Sequence, residues 1–139
     1  MKKGEGKTLA VDFDGVIHGY SKGWQNGKIY DDPIPGSKNA LTQLAAEGYT
    51  ILIYSTRCNA EYWESGDDRV EDVKNYLNLH GIPYTSIHTG GKPKATMYID
   101  DRAVSFKGEW SDTLKEVDNF KTWNRPNSKS SAELEAEGK

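Results

Sequence analysis

The chain has 139 residues, which is enough for one domain with a hydrophobic core but short for two. Its 18 Lys and Arg residues and 21 Asp and Glu residues give a formal net charge of −3, so the overall field does not draw polyanions to the surface. The single cysteine, Cys58, excludes an intramolecular disulfide and a cysteine-rich zinc site.

The N-terminal residues 1–7 are mainly Lys, Gly and Glu, and we expect this segment to be flexible. They do not lead into an apolar leader, and no later run approaches the ~18 apolar residues that a membrane span requires. The sequence therefore predicts a soluble, cytoplasmic protein without a membrane partner. It gives no indication of the oligomeric state.

The motif Asp12-Phe13-Asp14-Gly15 ends the first predicted strand, residues 8–12. Because residues i and i+2 of an extended segment point to the same face, Asp12 and Asp14 can converge on one ligand. Two carboxylates so close repel each other unless a proton or a cation lies between them. Carboxylate oxygens are hard ligands, and the cofactor that suits them best is a hard divalent cation such as Mg²⁺.

Residues 17–30 predict a small β-hairpin, which we call the flap. Two short stretches flank Asn26-Gly27 there, and Asn-Gly is the strongest short signal for a hairpin turn. Pro33 and Pro35 end this excursion. We expect the flap to lie beside the two carboxylates.

Two strand-and-helix units come next. A helix capped by Ser37 is predicted by an apolar stripe of Ala40, Leu41, Leu44 and Ala45, and Gly48 ends it. Residues 49–54 predict the second strand. A second helix is predicted by apolar residues at helical spacing, namely Val70, Val73 and Leu77.

Two short strands are predicted within residues 82–88 and at residues 96–99. A last amphipathic helix, capped by Ser111, is predicted by Leu114, Val117 and Phe120. Residues 126–139 are almost without apolar side chains and predict a disordered tail. The predicted domain therefore covers residues 8–125.

The alternation of strands and helices predicts a three-layer, Rossmann-like α/β fold with a parallel central sheet. Ligands of such sheets bind at the carboxyl ends of the strands. Polar residues follow three of the predicted strands at these ends: Asp12 and Asp14, then Ser55, Thr56 and Arg57, then Asp100 and Asp101.

Four motifs, in this order, resemble those of the haloacid dehalogenase-like (HAD) hydrolases over roughly residues 8–105. They are Val-Asp-Phe-Asp-Gly-Val, Ile-Tyr-Ser-Thr-Arg, Lys-Pro-Lys and Tyr-Ile-Asp-Asp-Arg. The resemblance implies a phosphatase with an aspartyl-phosphate intermediate, in which Asp12 attacks phosphorus and Asp14 is the general acid and base. Phosphate-transferring members have an acid at the position of Asp14, whereas dehalogenases lack one.

The resemblance also implies the other site residues. Ser55 matches the hydroxyl that binds the phosphoryl group, with Thr56 and Arg57 beside it, and Lys94 matches the catalytic cation. The implied ligands of Mg²⁺ are the carboxylates of Asp12 and Asp100, the backbone carbonyl of Asp14, and Asp101 either directly or through water. Lys92 competes with Lys94 for its role, and Arg57 fits phosphate binding and pairing with a carboxylate equally well.

The spacing of the motifs leaves room for the flap but not for a full cap domain. The chain thus resembles a capless family member, whose open site suits large substrates such as phosphorylated polynucleotide ends or phosphoproteins. Nucleotides and other small phosphate esters are open alternatives. Aromatic side chains of and beyond the flap can either stack on a nucleobase or pack the flap onto the domain: Tyr20, Trp24, Tyr30, Tyr62 and Trp63.

Two other functions compete with a phosphatase. A receiver-like signalling domain also gathers Asp residues, a hydroxyl and a Lys around Mg²⁺, but its phosphoacceptor follows a middle strand, where this chain has Ser55. A HAD-like binding module without activity, which retains the fold as a scaffold or subunit, is the other alternative; it stays open, although the occupation of every expected catalytic position counts against it. His18 is interpreted as a residue of the flap, because a single His is weak evidence for a metal site.

Overall fold

The structure is a computed structural model, and it describes residues 1–63 and 69–138. Its strands are β1 (Thr8–Asp12), β2 (Thr50–Tyr54), β3 (Ser86–His88) and β4 (Met97–Ile99). Its α-helices are α1 (Ser37–Ala46), α2 (Val70–Leu79), α3 (Trp110–Asn119) and α4 (Ser131–Glu137). Two single 3₁₀ turns, Thr56–Cys58 and Ala60–Tyr62, follow β2.

The four strands form one parallel sheet in the order β3-β2-β1-β4. The central pair is in register from Thr8 opposite Thr50 to Asp12 opposite Tyr54, so both strands end at the same level. Helix α1 connects β1 to β2, and α2 connects β2 to β3. This arrangement confirms the predicted Rossmann-like α/β fold with a parallel sheet.

The hydrophobic core lies against the two central strands. Strands β1 and β2 are apolar runs because parallel central strands are covered on both faces. Leu41 of α1 and Leu77 of α2 are buried in the same cluster as the strand residues Leu9, Val11, Ile51 and Ile53. Burial of each such side chain contributes about 1.5–3 kcal/mol.

The flap differs from its prediction. Asn26 and Gly27 both have positive φ, and the Lys28 N–H donates to the Gln25 carbonyl at 3.0 Å, which confirms the turn. However, no β-strand flanks this turn in the part of the chain that the structure describes, and the excursion is closed by an isolated antiparallel bridge between His18 and Pro33. Side-chain contacts hold the flap instead of a strand ladder, as described below.

Two predicted caps are wrong. Ser37 is the first residue of α1 and makes no capping hydrogen bond, because Gly36, in the left-handed conformation, occupies the N-cap position. Ser111 lies inside α3, whose N-cap is Glu109. In both cases the helix begins earlier than the predicted cap implies, since α1 begins at Ser37 itself and α3 begins at Trp110.

The chain divides into two compact units, residues 1–100 and 101–139. In the first unit, the N-terminal segment is tied down, since the buried Gly4 donates its N–H to the Glu47 carbonyl at 2.9 Å. In the second unit, α3 and α4 contact each other, and Lys121 pairs with Glu133 at 2.7 Å.

Helix α4 lies within residues 126–139, where the composition predicts a disordered tail. Its N-cap is Ser130, whose hydroxyl accepts the Glu133 N–H at 3.3 Å and lies 3.2 Å from the Glu133 carboxylate. The pattern Ser-x-x-Glu is the sequence signature of a capping box, which is a local signal for the start of a helix. The expectation from composition overlooked this local signal.

Two leucines of α2 offer a matched test of the core. Leu77 is fully buried, whereas Leu79 is 80% exposed. We expect Leu77→Ala to lower the free energy of unfolding by about 2–5 kcal/mol, because it removes packed atoms and leaves a cavity. Leu79→Ala should change it by less than about 0.5 kcal/mol. Urea unfolding of both variants measures the difference, and equal losses would contradict the described packing of α2.

Candidate active site

Three carboxylates gather at the carboxyl ends of β1 and β4. Asp12 is the last residue of β1, and Asp100 and Asp101 directly follow β4, which pairs with β1. One carboxylate oxygen from each of these residues lies within 4.8 Å of the others. Carboxylates at this distance repel one another, so the arrangement suits a hard divalent cation.

Tyr54 joins this group from β2, and sequence reasoning missed it. Its position opposite Asp12 at the end of the neighbouring strand puts its hydroxyl within reach of Asp100, to which it donates a hydrogen bond. Burial, together with the hydrogen bond to Asp100, raises the pKa of the Tyr54 hydroxyl far above its usual range. Tyr54 therefore stays protonated and acts as a donor that orients one Asp100 oxygen.

Asp14 lies in a different environment from Asp12. His18 Nδ1 is 2.8 Å from Asp14 Oδ1, and Arg57 Nε donates to Asp14 Oδ2 at 2.7 Å. Both partner side chains are fully buried, whereas the Asp14 side chain is 16% exposed. Each carboxylate oxygen of Asp14 thus has its own buried donor, and one edge of the group still reaches solvent.

Arg57 connects Asp14 to the flap. Its Nη1 donates to the Gly27 carbonyl at 2.8 Å, and its Nη2 donates to the Lys28 carbonyl at 3.4 Å. Its guanidinium carbon lies 4.8 Å from the centre of the Trp24 ring. The donors described for Arg57 are therefore directed to Asp14 and the flap backbone, which corresponds to the carboxylate-pairing alternative for this residue.

His18 lies in a cage of aromatic rings. Its ring packs on Phe13 and meets Tyr20, Tyr30 and Tyr76 at steep angles, with ring centres 4.9 to 5.9 Å apart. The Asp31 N–H donates to His18 Nε2 at 3.1 Å. Since Nε2 accepts this bond, the ring proton lies on Nδ1, and His18 donates to Asp14.

Ser55 and Thr56, the two hydroxyl residues predicted to bind phosphate, directly follow the end of β2. The nearly buried Ser55 accepts the Arg57 N–H on its hydroxyl at 3.2 Å and caps the first 3₁₀ turn. Thr56 is exposed. Their predicted contact with a phosphoryl group stays a prediction.

The two candidate lysines differ in their surroundings. Lys92 lies over the Tyr98 ring, 5.0 Å from its centre. Lys94 is exposed, and no hydrogen bond or ion pair joins it to another of the described residues. Lys94 is thus free to contact a bound anion, and its catalytic role stays a prediction.

The aromatic residues of the flap pack onto the domain. Trp24 stacks on Trp63 with ring centres 4.8 Å apart and a 19° angle between the planes. Arg57 and Arg69 also lie over the Trp24 ring, at 4.8 and 5.4 Å from its centre. These contacts favour the packing interpretation of Trp24 over base stacking.

Comparisons with known proteins agree with this picture in part. No family model matches the chain. A protein of Chlorobaculum tepidum named "Putative 5'(3')-deoxyribonucleotidase" is 33% identical over 73 residues, which cover 50% of this chain and 35% of that protein. The chain therefore spans about a third of the length of this relative.

A crystal structure of an MCSG target from Vibrio cholerae resembles the chain in three dimensions. The two align with a TM-score of 0.50 and 26% sequence identity over 79% of this chain and 97% of that one. Together, the comparisons relate the chain to a Rossmann-like structure and, over half its length, to a protein named as a nucleotidase. Among the described residues, no helix is long and apolar enough to span a membrane.

The acidic cluster makes a prediction about stability. Without divalent cations, Asp100→Asn should melt at a higher temperature than the wild type, because one repelling charge is removed while the amide oxygen still accepts from Tyr54. A divalent cation that binds the cluster, with Mg²⁺ as the ion tested, should raise the Tm of the wild type by several degrees and that of the variant much less. Thermal denaturation with and without Mg²⁺ measures both effects.

Asp118→Asn is the matched control for this experiment, since Asp118 is an exposed residue of α3. It should respond to Mg²⁺ as the wild type does. An equal response of Asp100→Asn and the wild type would exclude a cation site at Asp100.

The hydrogen bond from Tyr54 makes a second prediction. Tyr54→Phe should weaken the binding of a divalent cation to the carboxylate cluster about tenfold, because groups that orient a metal ligand typically contribute 10- to 100-fold to affinity. Calorimetric titration with Mg²⁺ measures this change directly. Tyr62→Phe is the control, since Tyr62 is 63% exposed, and this variant should bind the ion as the wild type does. Unchanged binding by Tyr54→Phe would show that Asp100 needs no orienting donor.

Proposed function

We propose that the protein is a Mg²⁺-dependent phosphomonoester hydrolase of the HAD-like type that acts through an aspartyl-phosphate on Asp12. The observation that carries this proposal is the division of labour between two carboxylates of one motif. Asp12 lies with Asp100 and Asp101, whereas Asp14, two residues later, is paired with Arg57 and His18. Different environments give two neighbouring carboxylates different chemical roles.

The first step forms the covalent intermediate. A carboxylate oxygen of Asp12 attacks phosphorus, the bond from phosphorus to the ester oxygen breaks, and the Asp14 carboxyl gives its proton to the departing oxygen. The alcohol leaves, and Asp14 remains as a carboxylate. The partly exposed edge of Asp14 is where such a proton transfer can reach the substrate.

The second step releases phosphate. Asp14 takes a proton from water, the water oxygen attacks phosphorus, and the bond from phosphorus to Asp12 breaks. Asp12 is restored as a carboxylate and Asp14 as an acid. Lys94, at the exposed end of the third motif, is proposed to bind the phosphoryl oxygens together with the Ser55 hydroxyl.

The residues present fit a magnesium ion. Three carboxylate oxygens within 4.8 Å of one another are the hard donors that this ion prefers, and Tyr54 supplies the supporting hydrogen bond. Asp12, Asp100 and Asp101 would hold the ion, with the backbone carbonyl of Asp14. When bound, Mg²⁺ would neutralise negative charge on the phosphoryl oxygens.

Nucleoside monophosphates, or the phosphorylated end of a polynucleotide, are the proposed substrates. Support comes from the sequence similarity to a protein named as a deoxyribonucleotidase. The spacing of the motifs, which leaves no room for a full cap domain, agrees with an open site that admits a nucleotide or a strand end.

Phosphate release from nucleotides, phosphorylated oligonucleotides and sugar phosphates tests the proposal. We expect Mg²⁺-dependent release that is fastest with the nucleotides or the oligonucleotides. Asp12→Asn should lower kcat by at least about a thousandfold, because it removes the nucleophile of the first step, so that no covalent intermediate can form. Asp118→Asn, at an exposed acid of the same size, is the control and should keep the wild-type rate.

The results distinguish the competing functions. Release that survives in Asp12→Asn would contradict the aspartyl-phosphate mechanism. Stable phosphorylation of Asp12 without turnover would favour a receiver-like phosphoacceptor. Absence of both, with folded protein that binds Mg²⁺, would favour a binding module.

A further inference from the structure

We propose that His18 is a positioning residue that holds the Asp14 carboxylate in the orientation needed for proton transfer. This inference rests on the proposed function, because it assigns His18 a role in the two proton transfers of that reaction. It goes beyond the motifs, none of which includes His18.

The imidazole of His18 is fixed at both nitrogens. Nε2 accepts the Asp31 N–H at 3.1 Å, and Nδ1 donates to Asp14 Oδ1 at 2.8 Å. The side chain is fully buried, and aromatic rings surround it. A ring held in this way can present its Nδ1 proton in one direction only, which is toward Asp14.

The backbone of His18 strengthens this arrangement. Its N–H donates to the Phe13 carbonyl at 2.9 Å, and its carbonyl accepts the Gly15 N–H at 2.8 Å. The loop that carries Asp14 is thus closed on His18 by both main chain and side chain. The distance between the imidazole and the carboxylate is therefore set within one short loop.

Arg57 completes the support from the opposite side. It donates to Asp14 Oδ2, so rotation of the carboxylate about its Cβ–Cγ bond would break the bond to His18 and the bond to Arg57 together. An error of about 1 Å in the position of a reacting group can reduce a rate by a hundredfold. Two fixed donors at the two oxygens prevent such an error.

Asn and Gln at position 18 separate this role from simple packing. The amide nitrogen of Asn lies near the place of Nδ1 and can donate to Asp14. The amide of Gln reaches the place of Nε2, where it can accept from Asp31, but it leaves Asp14 Oδ1 without its donor. His18→Asn and His18→Gln therefore each keep one of the two side-chain hydrogen bonds.

The readout is the dependence of kcat/KM on the leaving group. An alkyl phosphate has a poor leaving group and needs the proton from Asp14 in the first step, whereas an activated aryl phosphate does not. We expect His18→Gln to lower kcat/KM for the alkyl phosphate about tenfold or more and to leave that for the aryl phosphate nearly unchanged. His18→Asn should stay within about threefold of the wild type for both substrates.

A loss of folded protein would lower both values equally, so it does not imitate this pattern. His80→Gln, at the end of α2 and outside the site, is the control and should leave the ratio of the two values unchanged. An unchanged ratio in His18→Gln, or an equal loss with both substrates, would overturn the role of His18 and leave the proposed function standing. Wild-type protein that hydrolyses neither substrate would overturn both.

A measurement on the wild-type protein covers the case in which a variant does not fold. The ¹⁵N chemical shifts of the His18 ring should show a protonated Nδ1 and an unprotonated Nε2, and Asp14→Asn should move the Nδ1 signal. The opposite tautomer would overturn the proposal, since His18 could then not donate to Asp14.

Discussion

The ion pair between Arg57 and Asp14 is the interaction on which the rest of the site depends. A fully buried guanidinium must have partners for its charge and its donors, and Asp14, Gly27 and Lys28 supply them. Loss of one partner of such a pair typically costs about 3–5 kcal/mol, because the other charge stays buried. The same contacts that satisfy Arg57 therefore fix the second carboxylate of the acidic motif and anchor the flap at its tip.

The sheet determines where this pair can form. Because β1 and β2 are parallel and end at the same level, the residues that follow them meet above one edge of the sheet. Asp14 follows β1 and Arg57 follows β2, so a short loop from each strand is enough to join them. Strand β4 adds Asp100 on the other side of Asp12. The same edge thus holds two acidic groups in different surroundings. Asp12 lies beside other carboxylates, whereas Asp14 is paired with the Arg57 cation.

Much of the fold could be predicted, because the central strands and α2 have long, regular apolar patterns. The gathering of Asp12 and Asp100 was also predictable, since carboxyl ends of parallel strands share an edge. The flap was less predictable, because Asn26-Gly27 specifies a turn but does not specify the contacts of the residues on either side of it. Arg57 pairs with Asp14, 43 positions away, and Tyr54 pairs with Asp100, 46 positions away. No local sequence pattern indicates such distant pairs.

The hydrogen bonds by which Arg57 anchors the flap go to main-chain atoms. Arg57 binds the carbonyls of Gly27 and Lys28, and any amino acid offers a carbonyl. Gly27 itself is constrained, because its φ is +82° and an added Cβ would meet the Arg69 guanidinium. The neighbouring side chains at the tip, Gln25 and Lys28, carry no such constraint from Arg57. Substitutions of Gln25 and Lys28 can therefore alter the surface of the tip while its main-chain hydrogen bonds to Arg57 stay intact, so this surface can change at little cost in stability.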